Sequence, residues 1–146
     1  MFKNSKKQGD AGLGQAIAYF TMQGYDVALP LTDSADWDLI VEKDGSLLRV
    51  QVKTSYQLKE NGKEVFSLSV MGGNQSWNGK RKVVSDQNYD MLFLHHLGTG
   101  IQLVMSKEVV NDIRSSLTVC EKYGQYIVKS GDVAEWLIAA DCKSVP

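Results

Sequence analysis

Cysteine, proline and net charge are all scarce in this chain. Its two cysteines, Cys120 and Cys142, have no metal-ligand spacing, which leaves free thiols in a reducing compartment as the natural reading. Proline occurs twice, and there are no internal repeats, low-complexity tracts or linker-like stretches to divide the 146 residues. No window has the length and apolarity of a membrane span and the N-terminus lacks a signal-peptide core, so the expectation is a cytoplasmic protein with no membrane partner. Lys and Arg number 16 against 17 Asp and Glu, a formal charge of −1. That balance does not advertise a nucleic-acid binder, although a local basic stripe attracts phosphate even on a neutral protein. Phosphate-cradling glycine loops and G-x-S-x-G elbows are missing too, which sets aside nucleotide hydrolysis and acyl transfer.

What is present is ordinary in amount: 43% apolar and 23% charged residues, enough for one self-sufficient domain over 1–146. The informative stretch runs from Gly24 to Ser55. It reads as three short strands, with a hairpin through Lys43-Asp44-Gly45-Ser46 joining Trp37–Glu42 to Leu47–Lys53. A side-chain period of two puts Gln51 and Lys53 on one face and Val50 and Val52 on the other. Pairing across the turn brings Asp38 close to Gln51 and Lys53.

A carboxylate, an amide oxygen and an ammonium together suit phosphodiester hydrolysis. That reaction needs a cation to polarise the phosphoryl oxygen and activate water, and a positive group to offset developing charge. Magnesium (Mg²⁺) keeps several waters and asks for few protein ligands. Asp38, the Gln51 side-chain oxygen and the Val52 carbonyl are candidate ligands, and Lys53 the candidate partner of water and phosphate. The plain alternative is three solvated polar residues on an ordinary hairpin.

Around this stretch the chain reads as follows. Met1–Gln8, with Lys3, Lys6 and Lys7, is expected to be a mobile basic arm or a solvated tail. Asp10 can cap a helix through about Met22 with Leu13, Ile17 and Phe20 on one face. Gly12 and Gly14 in its first turn imply close approach of backbone or phosphate. A second hairpin is expected over Tyr56–Glu60, Asn61-Gly62 and Val65–Val70. Met71–Lys82 is too rich in Gly and Asn for a regular element and suits a DNA-contacting loop. Lys80, Arg81 and Lys82 would meet phosphates, while Asn74, Gln75 and Asn78 would be available for bases. Tyr89–Leu97 reads as a buried central strand, followed by a turn at Gly98-Thr99-Gly100 and a strand over Ile101–Met105. His95 and His96 face opposite ways there, so they read as edge or core polar residues rather than joint metal ligands. Ser106 can cap a helix to about Arg114, a strand is expected at Tyr126–Lys129, and a terminal helix at about Asp132–Ala140 packs through Trp136 and Leu137. The fold class is α/β, a central mixed sheet flanked by helices.

Several segments share a family pattern: Gly9-Asp10-Ala11-Gly12, Ala16 to Phe20, Gly24-Tyr25-Asp26-Val27, Pro30, Asp33, Trp37-Asp38-Leu39-Ile40, Arg49 to Thr54 and Tyr89 to Phe93. Together they resemble the PD-(D/E)XK nuclease superfamily, and most closely the homing endonucleases of cyanobacterial group I introns. The resemblance implies a restriction-endonuclease-like core, double-stranded DNA as partner, and metal-dependent cleavage carried by Asp38, Gln51 and Lys53. It puts Gln51 at the family's second acidic position and Leu13 where a helix acid is usual, and it brings Tyr19 near the active site. Cutting both strands of a duplex needs two sites, so a homodimer is expected, or a homotetramer as in the resembling enzymes. A junction-resolving or repair nuclease, and a DNA-binding module without turnover, are the alternatives.

Overall fold

The structure is a computed structural model describing residues 4–71, 81–82, 87–113 and 115–129. Helix α1 spans Ser5–Met22. Strands β1 (Asp26–Ala28), β2 (Leu39–Lys43), β3 (Ser46–Ser55), β4 (Gln57–Leu58), β5 (Glu64–Ser67), β6 (Val70–Met71) and β7 (Arg81–Lys82) follow. After them come β8 (Met91–His96), β9 (Ile101–Ser106), the short helix α2 (Lys107–Val110), β10 (Ser116–Thr118), a 3₁₀ helix (Glu121–Tyr126) and β11 (Ile127–Lys129). No helix among the described residues is long and apolar enough to cross a membrane.

The central sheet has the order β1-β2-β3-β8-β9-β11. Its β3–β8 pair is parallel and its other pairs are antiparallel. The mixed α/β sheet expected from the sequence is therefore present. The β2–β3 hairpin turns on Asp44 and Gly45, both with positive φ (52° and 82°). Such a two-residue turn matches strand twist, and Asp-Gly is among the sequences that adopt it readily. A parallel pair cannot be joined by a tight turn. The chain leaving β3 therefore makes an excursion through β4 to β7 before β8 begins. Within it, β4 and β5 form the expected second hairpin and pair with β10 as a small three-stranded sheet. β10 is an element the sequence reading did not anticipate.

Two cores form on opposite faces of the central sheet. Ala16 and Phe20 of α1 bury against Leu39, Val41, Val50 and Phe93. Phe66, Leu68 and Leu117 bury with Leu92, Leu94, Leu103 and Met105. Successive residues of β8 thus feed different cores, which is why that strand reads as an unbroken apolar run.

Helix α1 departs from expectation in two ways. It begins at Ser5, capped by Asn4, whose Oδ1 accepts from the Lys6 amide at 2.8 Å. Residues 5–8 are thus helical rather than a loose arm, and Asp10 lies inside the helix. Lys and Gln are good helix formers, so nothing in Lys6-Lys7-Gln8 interrupts propagation once Asn4 satisfies an amide. The fully buried stripe is Gly12, Ala16 and Phe20, at spacings of four, with Leu13 and Ile17 only half-buried. Small residues face the sheet because the helix lies nearly on β3: a Cβ at Gly12 would sit 2.0 Å from Thr54 Oγ1. Close approach at Gly12 is therefore to a side chain, whereas a Cβ at Gly14 would meet nothing within 4 Å among the described residues outside its own helix turn.

The other elements are close to expectation. Ser106 precedes α2 but its side chain makes no capping hydrogen bond, and the helix stops at Val110 rather than continuing towards Arg114. The 71–82 segment is not wholly irregular, because Val70 and Met71 pair with Lys82 and Arg81 as a third hairpin. Residues 72–80 and the 132–140 helix with Trp136 and Leu137 lie outside the described residues.

Gly12→Ala is expected to lower stability. Overpacking costs about 1–3 kcal/mol, more than the up to about 1 kcal/mol gained in helix propensity. Thr54→Ala in the same chain should recover most of the loss by removing the clashing hydroxyl. Thermal melting of the single and double variants checks this, and an undiminished melting temperature for Gly12→Ala would mean that the helix is not seated so tightly.

Candidate active site

Asp38 lies one residue before β2, and its amide donates to the Val50 carbonyl at 2.8 Å, extending the hairpin ladder. Beyond that point β3 has no β2 residue opposite it. The Val52 amide donates to Asp38 Oδ2 at 2.7 Å, and Gln51 Nε2 donates to the same oxygen at 3.3 Å. The carboxylate thus takes the place of the missing strand. Asp38 and Gln51 meet as expected, through the Gln51 amide nitrogen rather than its oxygen, and Lys53 is near enough for its charge to act on Asp38.

Burial governs the electrostatics of this group. It raises the Asp38 carboxyl above its ordinary value, against the opposing pull of the Val52 hydrogen bond and the Lys53 charge. It also lowers the Lys53 ammonium, with Asp38 pulling the other way. Desolvation penalises either charge, and each stabilises the other.

Gln51 is only 9% exposed. Its Nε2 is satisfied by Asp38, but its Oε1 is buried without a hydrogen-bond partner among the described residues. A buried amide oxygen left unpaired is unfavourable by about 1–3 kcal/mol. An acceptor of this kind beside a carboxylate is what a hard, oxygen-seeking cation requires. The residues present therefore fit magnesium. Among the described residues no cluster of three His, Cys, Asp or Glu occurs, so the fit rests on one carboxylate with neutral oxygens.

Asp38 opens into a cleft of about 670 Å³ whose walls include Leu13, Leu29, Pro30, Leu31 and Trp37. Leu13 thus borders the same cleft as Asp38 and is half-buried at the edge of the helix core. Tyr19 is a packing residue: its ring lies 5.1 Å from Phe20 and 5.7 Å from Phe93, and burial raises its hydroxyl pKa.

His95 and His96 occupy opposite faces of β8 and are both buried in the interior of the sheet, not at its edge. His95 Nδ1 is 3.1 Å from the Gln102 amide nitrogen. His96 Nδ1 accepts from the Thr99 amide at 3.1 Å, which leaves Nε2–H to donate to the Gln57 carbonyl. Both are core polar residues with protein partners. Of the expected DNA contacts, Arg81 and Lys82 form β7, whereas Asn74, Gln75, Asn78 and Lys80 lie outside the described residues.

One important pairing was not read from the sequence, although both residues lie in segments of the family pattern. Arg49 Nε and Nη2 donate to Asp90 Oδ2 and Oδ1 at 3.0 and 2.9 Å, and the Arg49 amide donates to Oδ2 at 2.8 Å. The Asp90 amide returns a bond to the Arg49 carbonyl at 2.9 Å. This clamp closes the start of the β3–β8 pair, 41 residues apart in sequence, and only the fold brings its halves together.

A family model described as PD-(D/E)XK endonuclease matches residues 3–122. No curated protein matches the chain. Among solved structures, a bacterial homing endonuclease, I-Ssp6803I, superposes with a TM-score of 0.72 at 21% identity, covering 98% of this chain and 99% of that one. At that identity the likeness establishes the fold, a mixed-sheet α/β core of restriction-endonuclease type.

Arg49 holds the Asp90 carboxyl below its ordinary value, chiefly through its hydrogen bonds. A depressed folded pKa contributes stability above the unfolded value of about 3.9, which is lost as pH falls through the folded one. Asp90→Asn is expected to lower the melting temperature at neutral pH, with the gap to the parent shrinking below about pH 4. Melting curves across pH test this, and a gap independent of pH would remove the ion pair from the explanation.

Proposed function

The chain belongs to the PD-(D/E)XK endonuclease family, and we propose that it is a magnesium-dependent, site-specific endonuclease of double-stranded DNA that serves intron homing. The observation that carries the metal assignment is the buried Gln51 oxygen, left without a hydrogen bond beside the Asp38 carboxylate. Asp38, Gln51 Oε1 and the Val52 carbonyl would hold the ion. When bound, magnesium supplies polarisation of a phosphoryl oxygen and activation of the attacking water.

The chain's own residues do the rest. Asp38 is held by the Val52 amide, so its carboxylate is oriented before substrate arrives. Lys53, half-buried beside it, offsets negative charge as the phosphorane-like transition state develops, where low dielectric makes one positive charge effective. Cutting two strands with one site per chain favours a homodimer or homotetramer, which light scattering would detect.

Leu13 favours a second reading, a DNA-binding protein on this fold without turnover. It lines the cleft beside Asp38 and offers no oxygen to a metal or water. Because Leu13 is half-buried at an open cleft, a glutamate there can reach solvent, so Leu13→Glu should stay folded and raise cleavage.

Cleavage of supercoiled plasmid carrying candidate insertion sites, with and without Mg²⁺, tests both readings. Asp38→Asn and Lys53→Ala should each lower Mg²⁺-dependent cleavage by about a hundredfold or more, with duplex binding retained. Binding without cleavage in the parent would support the non-cleaving alternative, and cleavage gained in Leu13→Glu would assign the loss of turnover to that position. Full cleavage by Asp38→Asn would remove that carboxylate from the metal site.

A further inference from the structure

Leu31 is fully exposed and Leu29 is more than half exposed, although both border the cleft that contains Asp38. Pro30 lies between them, and Leu13 and Trp37 form other parts of the wall. The wall also holds Thr32, Ala35 and a second carboxylate, Asp33, so apolar side chains share the cleft with two acids, and no Lys or Arg among the described residues lines it. Such walls gain nothing from a phosphate, whose recognition needs cationic or N–H donors. They gain from sugar carbons, base edges and the thymine methyl.

The segment carrying Leu31 is anchored on both sides. Ala28 pairs with Ile40 at the end of β1, and the Asn88 amide donates to Asp36 Oδ2 at 3.1 Å. The Asp38 amide donates to Val50 O. Pro30 fixes its own φ and restrains the residue before it. Leu31 is thus held out in solvent by a pinned loop.

We infer that Leu31 is a specificity-determining residue, which enters a groove of the DNA duplex as an apolar wedge against sugars and base edges beside the phosphodiester presented to Asp38. This rests on the endonuclease reading and extends it to how the substrate is chosen. Apolar side chains inserted between base steps deform duplexes unequally, so a contact of this kind prefers flexible steps and discriminates without hydrogen bonds. It also releases no counterions, which separates it from phosphate contacts.

The test uses duplexes that the parent protein selects from a randomised pool in EDTA. Leu31→Ala should raise Kd by about tenfold, as burial of a leucine side chain predicts. The slope of log K against log salt and the melting temperature should not change. Sequencing pools selected by Leu31→Ala and Leu31→Lys should show relaxed preference at one or two base pairs next to the cut. Parent-like affinity and preference in Leu31→Ala would overturn the inference, as would a smaller salt slope, which means a phosphate contact. Loss of assembly on light scattering would overturn it too, by assigning the rim to a second copy of the chain. If the parent binds and cuts DNA while Leu31→Ala matches it, only this inference fails. If the parent selects no duplex and leaves plasmid intact, the endonuclease reading fails with it.

Discussion

The parallel pairing of β3 with β8 is the constraint on which the rest of the molecule depends. Antiparallel neighbours inherit their register from a turn, but a parallel pair must obtain it elsewhere. Here the start of the pair is fixed by the Arg49–Asp90 clamp, and its length by two apolar cores that accept alternate residues of β8. A slip of one residue would turn Gln51 and Lys53 to the helix face and send Val50 and Val52 the other way. Side-chain alternation on β3 is therefore both the packing rule and the rule that assembles the site.

At the site two effects oppose each other. Burial raises Asp38 and lowers Lys53, so each group alone is driven towards its neutral form, while their mutual attraction and the Val52 amide hold the charges. Desolvation is the larger influence on both. A doubly charged cation in such a place interacts more strongly with a carboxylate than a lysine can at equal distance, since the Coulomb energy scales with charge. Binding of the proposed metal would accordingly be linked to ionisation of Asp38, and the unpaired Gln51 oxygen would be a further group for an ion to satisfy.

Much of this was legible in the sequence because it depends on local rules. Asp44-Gly45 specifies a hairpin turn, period-two alternation puts Gln51 and Lys53 together, and the unbroken apolar run ending at His96 marks a strand buried on both faces. Less legible were features set by contacts between distant segments. The start of α1 turned on Asn4, a weaker signal than the Asp10 that follows it. The inward stripe passed through Gly12 instead of Leu13 because the position of Thr54, not hydrophobicity, decides which residue fits. Arg49 and Asp90 are ordinary charged residues until the sheet forms, and β10 is a three-residue strand with no pattern long enough to read.

Between Ser55 and Arg49's partner Asp90 the chain departs from the central sheet and comes back, with the clamp standing at the return. That arrangement makes the excursion an insertion whose ends are fixed independently of its contents. Loop closure free energy grows only slowly with length, so residues can be gained or lost at its hairpin tips with little thermodynamic consequence for the strands that hold Asp38, Gln51 and Lys53. A fold built this way can gain new outer contacts in its hairpins while Asp38, Gln51 and Lys53 stay in register.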